Sequence, residues 1–473
     1  MTISSPPNIA SPPLPSVAGK LTLREKIAYG MGDLGNGFMF DLGQAYLLKF
    51  YTDVVGLPAY LAGGVFVFTK LFDAFMDPIA GSFIDGRTKI GRHGRFKSVM
   101  MYSSIALGVL TVFTFVSPGA SQGVNLLYAY GSYMAWGVLY SFTNIPYGSL
   151  ASVMTQNSEQ RAQLASFRQA GSVTALLITG VAFMPIVLAF SNQRVGFGVA
   201  AATMALVGVM GFSATFRFTH EAVPVVRTKE RLTLRGFGKT VGTNRPLLVL
   251  ILMTIFSISA YNVKTSMIIY YTQYYLGDMR LLPYVNFISI GASIIGILSI
   301  PFLTKAFGKK RTALFGFALA VVADGLNFLL PTNTVGFTIL LSLSFIGVAL
   351  PNGITWALVS DVIDYGHWRT GIRREGITYS MFNFSRKIAQ SIAGGLAGFG
   401  LSFVGYLPNV QQSANTLLGI KGLQTLYPCL ALTVAGLVFW RWYPLTDKRV
   451  TEIVDEVHQR EVGAGVAEVD PHA

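Results

Sequence analysis

Residues 59–84 read AYLAGGVFVFTKLFDAFMDPIAGSFI, an apolar run interrupted by Lys70, Asp73 and Asp77. A helix needs about 20 residues to cross the hydrocarbon core of a bilayer, and this run is long enough to do so. Charges are expensive at that depth: a carboxylate costs roughly 2.5–3.5 kcal/mol on insertion scales, so an intramembrane acid marks an ion or substrate path. Asp73 and Asp77 lie four residues apart on one helix face, where their oxygens can converge on a small cation such as sodium or share a proton. Lys70, three residues before Asp73, is within reach to offset part of their charge when no cation is bound. The competing reading is a buried charge cluster that pins helices together.

The same apolar texture recurs along nearly the whole chain. Of 473 residues, 52% are hydrophobic and only 12% are charged, with 34 Phe, 21 Tyr and a mean hydropathy of +0.51. Apolar blocks fall at roughly 27–50, 58–84, 98–117, 123–150, 166–190 and 195–217, then 246–275, 283–304, 312–331, 335–361, 376–404 and 418–442. They predict an all-α polytopic membrane protein of about twelve transmembrane helices in two six-helix halves. The expected division is a disordered tail over 1–22, a six-helix bundle over 23–219, a central polar loop over 220–244, a second bundle over 245–445 and a tail over 446–473.

The formal net charge of +14 raises the question of a nucleic-acid partner, but the bases gather in alternate loops rather than along a helix face. One set of loops carries Arg87, Lys89, Arg92, Arg95 and Lys97, then Arg161, then Arg227, Lys229, Arg231, Arg235 and Lys239, then Lys305, Lys309, Lys310 and Arg311, then Arg369, Arg373 and Arg374. The other set carries little beyond Arg194 and Arg280. That asymmetry predicts a bacterial inner-membrane protein with both termini in the cytoplasm, and excludes nucleic acid as a partner. Cys429 is the single cysteine, which rules out a disulfide framework or a cysteine-based metal site. There is no histidine-rich metal pattern, no G-x-S-x-G elbow and no sizeable soluble domain, so an enzyme is not expected, nor a cofactor beyond a coupling ion.

Further charges sit at membrane depth. Arg386 and Lys387 are adjacent in the eleventh span, about 100° apart around the helix, so they cannot both face one partner. The one opposite Asp73 and Asp77 is a counter-charge that a coupling ion displaces. Arg168 lies near the start of the fifth span, and Lys264 in the middle of the seventh needs either an acid, for which Asp41 in the first span is available, or an anionic substrate. Tyr140 and Asn144 are four apart in the fourth span, and Trp356, Tyr379 and Asn383 lie in later ones. Such aromatic and amide groups suit a sugar, whose C–H faces pack on rings while its hydroxyls take hydrogen bonds.

Several separate segments resemble one family: YGMGDLGN at 29–36, YLLKFYTDVVGLPA at 46–59, DAFMDPIAG at 73–81, GRHGRFK at 91–97, NIPYGSL at 144–150, RAQLASFR at 161–168, DVIDYGHWRTGIRREGITYS at 361–380, and GYLPN with QSANTLLGI near the end. Together they resemble the glycoside-pentoside-hexuronide:cation symporters, the melibiose-carrier branch of the major facilitator superfamily. By that resemblance Asp73 and Asp77 are cation-site aspartates, Lys70 is the basic position upstream, Asn144 contacts sugar, and Arg168 and Lys387 are functional bases. Asp361, Asp364, Arg373 and Glu375 match a charged cytoplasmic motif that implies an inner gate or helix tether. The chain departs from the melibiose carrier at Gly37 and Asn144, where that carrier has sugar-binding aspartates, and at Gly148, where it has tryptophan. Asp33 and Asp41 each lie one turn from Gly37, so Asp41 is a candidate substitute. Fewer acids, with Lys264, Arg168 and Lys387 as bases, tilt the site toward an acidic sugar, and the wording is similar to glucuronide and sulfoquinovose carriers.

The resulting expectation is a monomeric symporter that binds a small sugar or glycoside between its halves in the lipid bilayer, with H⁺ or Na⁺ as the coupling ion. Substrate would meet Asp41, Tyr140, Asn144, Arg168, Lys264, Lys387, Asn383 and Trp356. Lys70, Arg386 and the charged motif would couple or gate. A lipid or lysolipid carrier of the same fold, or a non-transporting sugar sensor, are the rival readings.

Overall fold

The computed structural model describes residues 20–86, 94, 96–155, 157–222, 242 and 244–463. The N-terminal residues 1–19 and the loop bases Arg87, Lys89, Arg92, Arg95, Arg227, Lys229, Arg231, Arg235 and Lys239 fall outside that set.

Twelve long helices form the body: α1 (Leu23–Ala45), α2 (Ala59–Gly86), α3 (Phe96–Thr114), α4 (Gln122–Met154), α5 (Ser158–Leu188), α6 (Gln193–Phe218), α7 (Arg245–Tyr270), α8 (Leu282–Phe307), α9 (Lys309–Leu329), α10 (Thr334–Thr370), α11 (Glu375–Phe403) and α12 (Ala414–Trp442). Among the described residues, nine of these are long and apolar enough to cross a membrane on length and composition. The three that fall short are α1, α4 and α11, which span 23, 33 and 29 residues and are diluted by polar side chains. Those same helices carry Asp33 and Asn36, Tyr140 and Asn144, and Arg386 and Lys387.

Helix ends follow local chemistry. Thr22 and Glu25 form a reciprocal capping box at the start of α1. Asn244 caps α7 by accepting from Leu247 N at 3.1 Å, with Pro246 in the first turn. Gly371 closes α10 in the left-handed region at φ +71°.

Packing repeats with an offset of six helices. Helix α1 packs on α5 and α6 as α7 packs on α11 and α12; α3 packs on α4 as α9 does on α10; α2 packs on α4 as α8 does on α10. The halves meet through α2 against α11 and α5 against α8, the same contact taken twice. A smaller device is duplicated too. Glu221, just past α6, accepts from Phe96 N and Lys97 N at 2.8 Å, capping α3. Asp447, just past α12, accepts from Lys309 N at 2.9 Å, capping α9. Carboxylates at both helix N-termini also meet the positive end of the helix dipole.

The segment expected as a C-terminal tail instead contains α13 (Asp447–Gly463), which packs on the end of α10. Trp368 of α10 donates from Nε1 to Glu456 at 2.6 Å, and Arg460 donates to Trp368 O at 2.9 Å.

Candidate functional site

The i, i+4 spacing on α2 does place Asp73 and Asp77 on one face, directed at α4 and α11. Asp77 accepts from Ser141 Oγ of α4 at 2.6 Å and pairs with Lys387 Nζ of α11 at 2.7 Å. Lys387 also donates to the backbone carbonyl of Asp73 at 3.1 Å. Asp73 is 3% exposed, whereas the Asp77 side chain is 33% exposed and borders open space. Lys70 Nζ approaches Asp73 Oδ2 at 3.8 Å and sits within 5.1–5.4 Å of the ring centres of Phe40, Tyr133 and Trp136. Three aromatic faces thus share the stabilisation of its charge, leaving Asp73 only weakly engaged.

Asp73 Oδ1 is buried and has no hydrogen-bond partner among the described residues. It points at Gly137 of α4, where a Cβ would collide with it. A buried carboxylate oxygen without a donor has lone pairs free to take a proton or a hard cation. Gly137 carries no chemistry of its own, so sequence reading had no signal for it.

A second cluster lies between the halves. Arg168 of α5 donates from Nε to Asp33 of α1 at 3.2 Å and lies 5.2 Å from the Tyr147 ring centre. Asn36 Nδ2 reaches Tyr140 Oη at 3.3 Å and Asn144 Oδ1 at 3.5 Å, which joins Tyr140 and Asn144 in one polar wall. Tyr140 in turn stacks on Trp136, 5.1 Å away. From the other half, Arg386 stands over the Trp356 ring at 5.3 Å, and Trp356 stacks on Tyr379 at 5.1 Å. Arg386 lies within electrostatic range of Tyr379, Tyr140 and Arg168. Asn383 is half-buried nearby on α11 and makes no hydrogen bond among the described residues.

Three expectations need correction. Lys264 does not enter this space and does not meet Asp41: it is buried inside the second half against Asp324 of α9, at 2.8 and 2.6 Å from the two carboxylate oxygens, with Ser344 alongside. The fold brings α7 and α9 of one half together there, and the 60 residues between the partners hide the pairing from a sequence reading. Asp41 remains on α1 with no ion pair among the described residues, and its neighbour Gly37 faces Ala175 so closely that a side chain has no room. Lys387, expected on substrate, is held by Asp77, while Arg386 occupies the space between the halves. The 100° between adjacent helix positions assigned the two bases to different partners.

The charged motif acts within one half. Asp361 accepts from Lys309 at 2.7 and 2.5 Å, Lys309 approaches Asp447 at 3.6 Å, and Arg373 binds Asp364 at 2.6 Å and Glu375 at 3.5 Å. These pairs tie the ends of α9, α10, α11 and α13 together.

The described bonds between halves all lie at midplane or at the end of the bundle where α1 finishes. There α1 runs on through a π-helical turn, Phe50–Val54, and α7 through another, Tyr271–Tyr275. Asp53 accepts from Tyr274 Oη at 3.0 Å and Tyr406 Oη at 2.7 Å, its backbone carbonyl accepts from Asn409 at 2.8 Å, and Lys49 pairs with it. Thr52 meets Tyr270 at 2.9 Å, Ser266 donates to Gln44 O at 2.7 Å and Asn286 to Gly180 O at 2.8 Å. The described bonds latch the halves at that end.

The sequence matches the family described as MFS/sugar transport protein over residues 28–447, nearly the full chain. The chain belongs to this sugar-transport family. The major facilitator transporter is 54% identical to the uncharacterized symporter YjmB of Bacillus subtilis (strain 168), over 93% of this chain and 96% of that protein. It is 39% identical to a candidate sulfoquinovose importer of Escherichia coli (strain K12), over 93% and 95% of the two chains. It is 32% identical to a glucuronide carrier protein homolog of the same organism, over 93% and 96%. Among solved structures, the nucleoside transporter NupG superposes with a TM-score of 0.62 at 12% identity, covering 89% of this chain and 99% of that one, which shows the fold. The relatives place this multi-pass transporter among the glycoside-pentoside-hexuronide symporters. Its family and relatives are transporters, not enzymes.

Proposed function

We propose that the protein imports a sugar or glycoside carrying an acidic group across the bacterial inner membrane, coupled to H⁺ or Na⁺, with both termini in the cytoplasm. The observation that carries the coupling is the unpartnered Asp73 Oδ1 beside Asp77, itself held by Lys387. Without a cation, Lys387 neutralises Asp77 and bridges α2 to α11, one from each half. A cation entering at Asp73 and Asp77 releases that bridge, so ion occupancy biases the relation between the halves. Sugar then binds against Asn36, Tyr140, Asn144 and Arg168 on one side and Trp356, Tyr379 and Arg386 on the other. Alternating access follows from rocking the halves about this site, and one chain holds both walls, so a monomer is sufficient. With the start of α1 in the cytoplasm, a latch at the opposite end fits a state closed to the outside. The acidic substrate is supported by the descriptions of two relatives, a candidate sulfoquinovose importer and a glucuronide carrier protein homolog, and by the bases at the site.

The test is counterflow and gradient-driven uptake in proteoliposomes with uronides, sulfosugars and neutral glycosides, each with and without Na⁺ or a pH gradient, beside Asp73→Asn. The expected result is accumulation of an acidic sugar that needs a cation gradient and collapses in the variant. Absence of any sugar counterflow by folded protein would sink the reading in favour of lipid transport or sensing.

A further inference from the structure

Seven buried or half-buried bases reach the middle of the bundle or its latched end: Lys49, Lys70, Arg168, Lys264, Arg386, Lys387 and Lys421, the last of which donates to Leu330 O at 2.8 Å. Five have an acid within ion-pair distance: Asp53, Asp73, Asp33, Asp324 and Asp77 respectively. Arg386 has none among the described residues, and no hydrogen-bond acceptor either; its one close partner is the Trp356 ring at 5.3 Å. A guanidinium presents up to five donors in a rigid plane matched to a carboxylate or another oxyanion, and holding it without an acceptor is costly unless something else fills the role. The aromatic contact fixes its place without consuming those donors. Trp356 and Tyr379, stacked together, are 38% and 46% exposed, so the platform beside Arg386 borders open space. Across that space stands Arg168, already committed to Asp33.

We propose that Arg386, placed by Trp356, is the residue that recognises the acidic group of the substrate, a single carboxylate or sulfonate on a sugar ring. The inference rests on the acidic-sugar reading above and names the atoms that read the acid. Arg386 and Lys387 are consecutive on α11, so the anion on one and the cation that frees the other act on the same turn of one helix. Binding of substrate and coupling ion is thereby linked through a single element.

The experiment measures equilibrium binding to purified full-length protein in nanodiscs by calorimetry, using methyl glucuronide, its 6-sulfonated counterpart and neutral methyl glucoside, with wild type, Arg386→Gln, Arg386→Lys and Trp356→Phe. Gel filtration and melting curves establish that each variant folds. The expected result is that wild type prefers one acidic ligand over the glucoside by about thirtyfold or more, and that Arg386→Gln reduces this ratio at least tenfold. Arg386→Lys, which keeps the charge but not the planar fork, retains an intermediate ratio, so the inference stays testable if the glutamine variant misfolds. The two acidic ligands separate a carboxylate from a sulfonate preference. A wild type that binds an acidic sugar with an unchanged preference in Arg386→Gln and Arg386→Lys overturns this inference and leaves the transport reading standing. A wild type that does not distinguish acidic from neutral sugar overturns both the inference and the acidic-substrate reading.

Discussion

The Tyr406 hydroxyl donates to Asp53 Oδ1 at 2.7 Å, across 353 residues of sequence and across the boundary between the halves. Tyr274 and Asn409 add two more bonds to the same residue, and Asn409 reaches it from the left-handed region at φ +58°, a conformation asparagine tolerates. A hydrogen bond to a charged group is worth about 1.5–3 kcal/mol, so removing one moves a two-state equilibrium about tenfold or more. Asp53→Asn and Tyr406→Phe are expected to raise the population open at that end. Spin labels at the exposed positions Leu188 and Phe403, in a Cys429→Ser background, report the change as a longer inter-half distance. An unaltered distance distribution in both variants would remove the latch from the account.

Gly137→Ala tests the role of Asp73 Oδ1. The added methyl occupies the space of Asp73 Oδ1, and the helix interior tolerates alanine well. Cation-stimulated uptake should fall more than tenfold, with a lower melting temperature as the Asp73 carboxylate is displaced, while folded protein is still recovered. Wild-type coupling in this variant would show that Oδ1 is not the ion's ligand.

Lys387 and Asp77 should behave as one unit. Separately, Lys387→Gln and Asp77→Asn each leave a charge inside the bundle without its partner; together they leave none. A double-mutant cycle on melting temperature is expected to give a coupling energy of about 1–3 kcal/mol. Additive effects would mean that the pair is not formed in the membrane.

The buried Lys264–Asp324 pair, with side chains 2% and 1% exposed, is structural. Asp324→Ala is expected to cost about 3–5 kcal/mol of stability by stranding the ammonium, whereas replacing both with apolar residues recovers much of the loss. A Lys264→Met, Asp324→Leu double variant that transports normally would confirm that neither residue touches substrate; loss of substrate affinity at unchanged stability would return Lys264 to the site.

Docking of α13 should depend on acid. The Trp368 N–H bond, with the Arg449 and Arg460 charges, holds the Glu456 carboxyl below the ordinary glutamate value against the opposing effect of desolvation. A lowered folded-state value means that the stabilisation is complete above the unfolded value, about 4.3, and is lost as pH falls through the folded value. Hydrogen-exchange protection of 447–460 should therefore persist at pH 5–7 and weaken in more acid solution, and Glu456→Gln should flatten that dependence. Protection that ignores both changes would place the docking energy elsewhere.

Sequence by itself determined the helical membrane class and the family, and it singled out Asp73, Asp77, Lys70, Arg168, Tyr140 and Asn144 as candidates for the site. These are legible because lipid penalises every charge and every unpaired backbone group, so an ionisable residue in an apolar run is conspicuous without any knowledge of its neighbours. Tertiary structure alone decided who pairs with whom. Lys264 met Asp324 rather than Asp41, Lys387 took Asp77 while Arg386 has no acid among the described residues, and Gly137 and Asp53 acquired contacts that their own side-chain chemistry did not advertise. The physical reason is that charge cost is a property of one residue in its segment, whereas partner choice depends on helix packing between segments tens to hundreds of residues apart, where a rotation of 100° between adjacent positions changes the partner entirely.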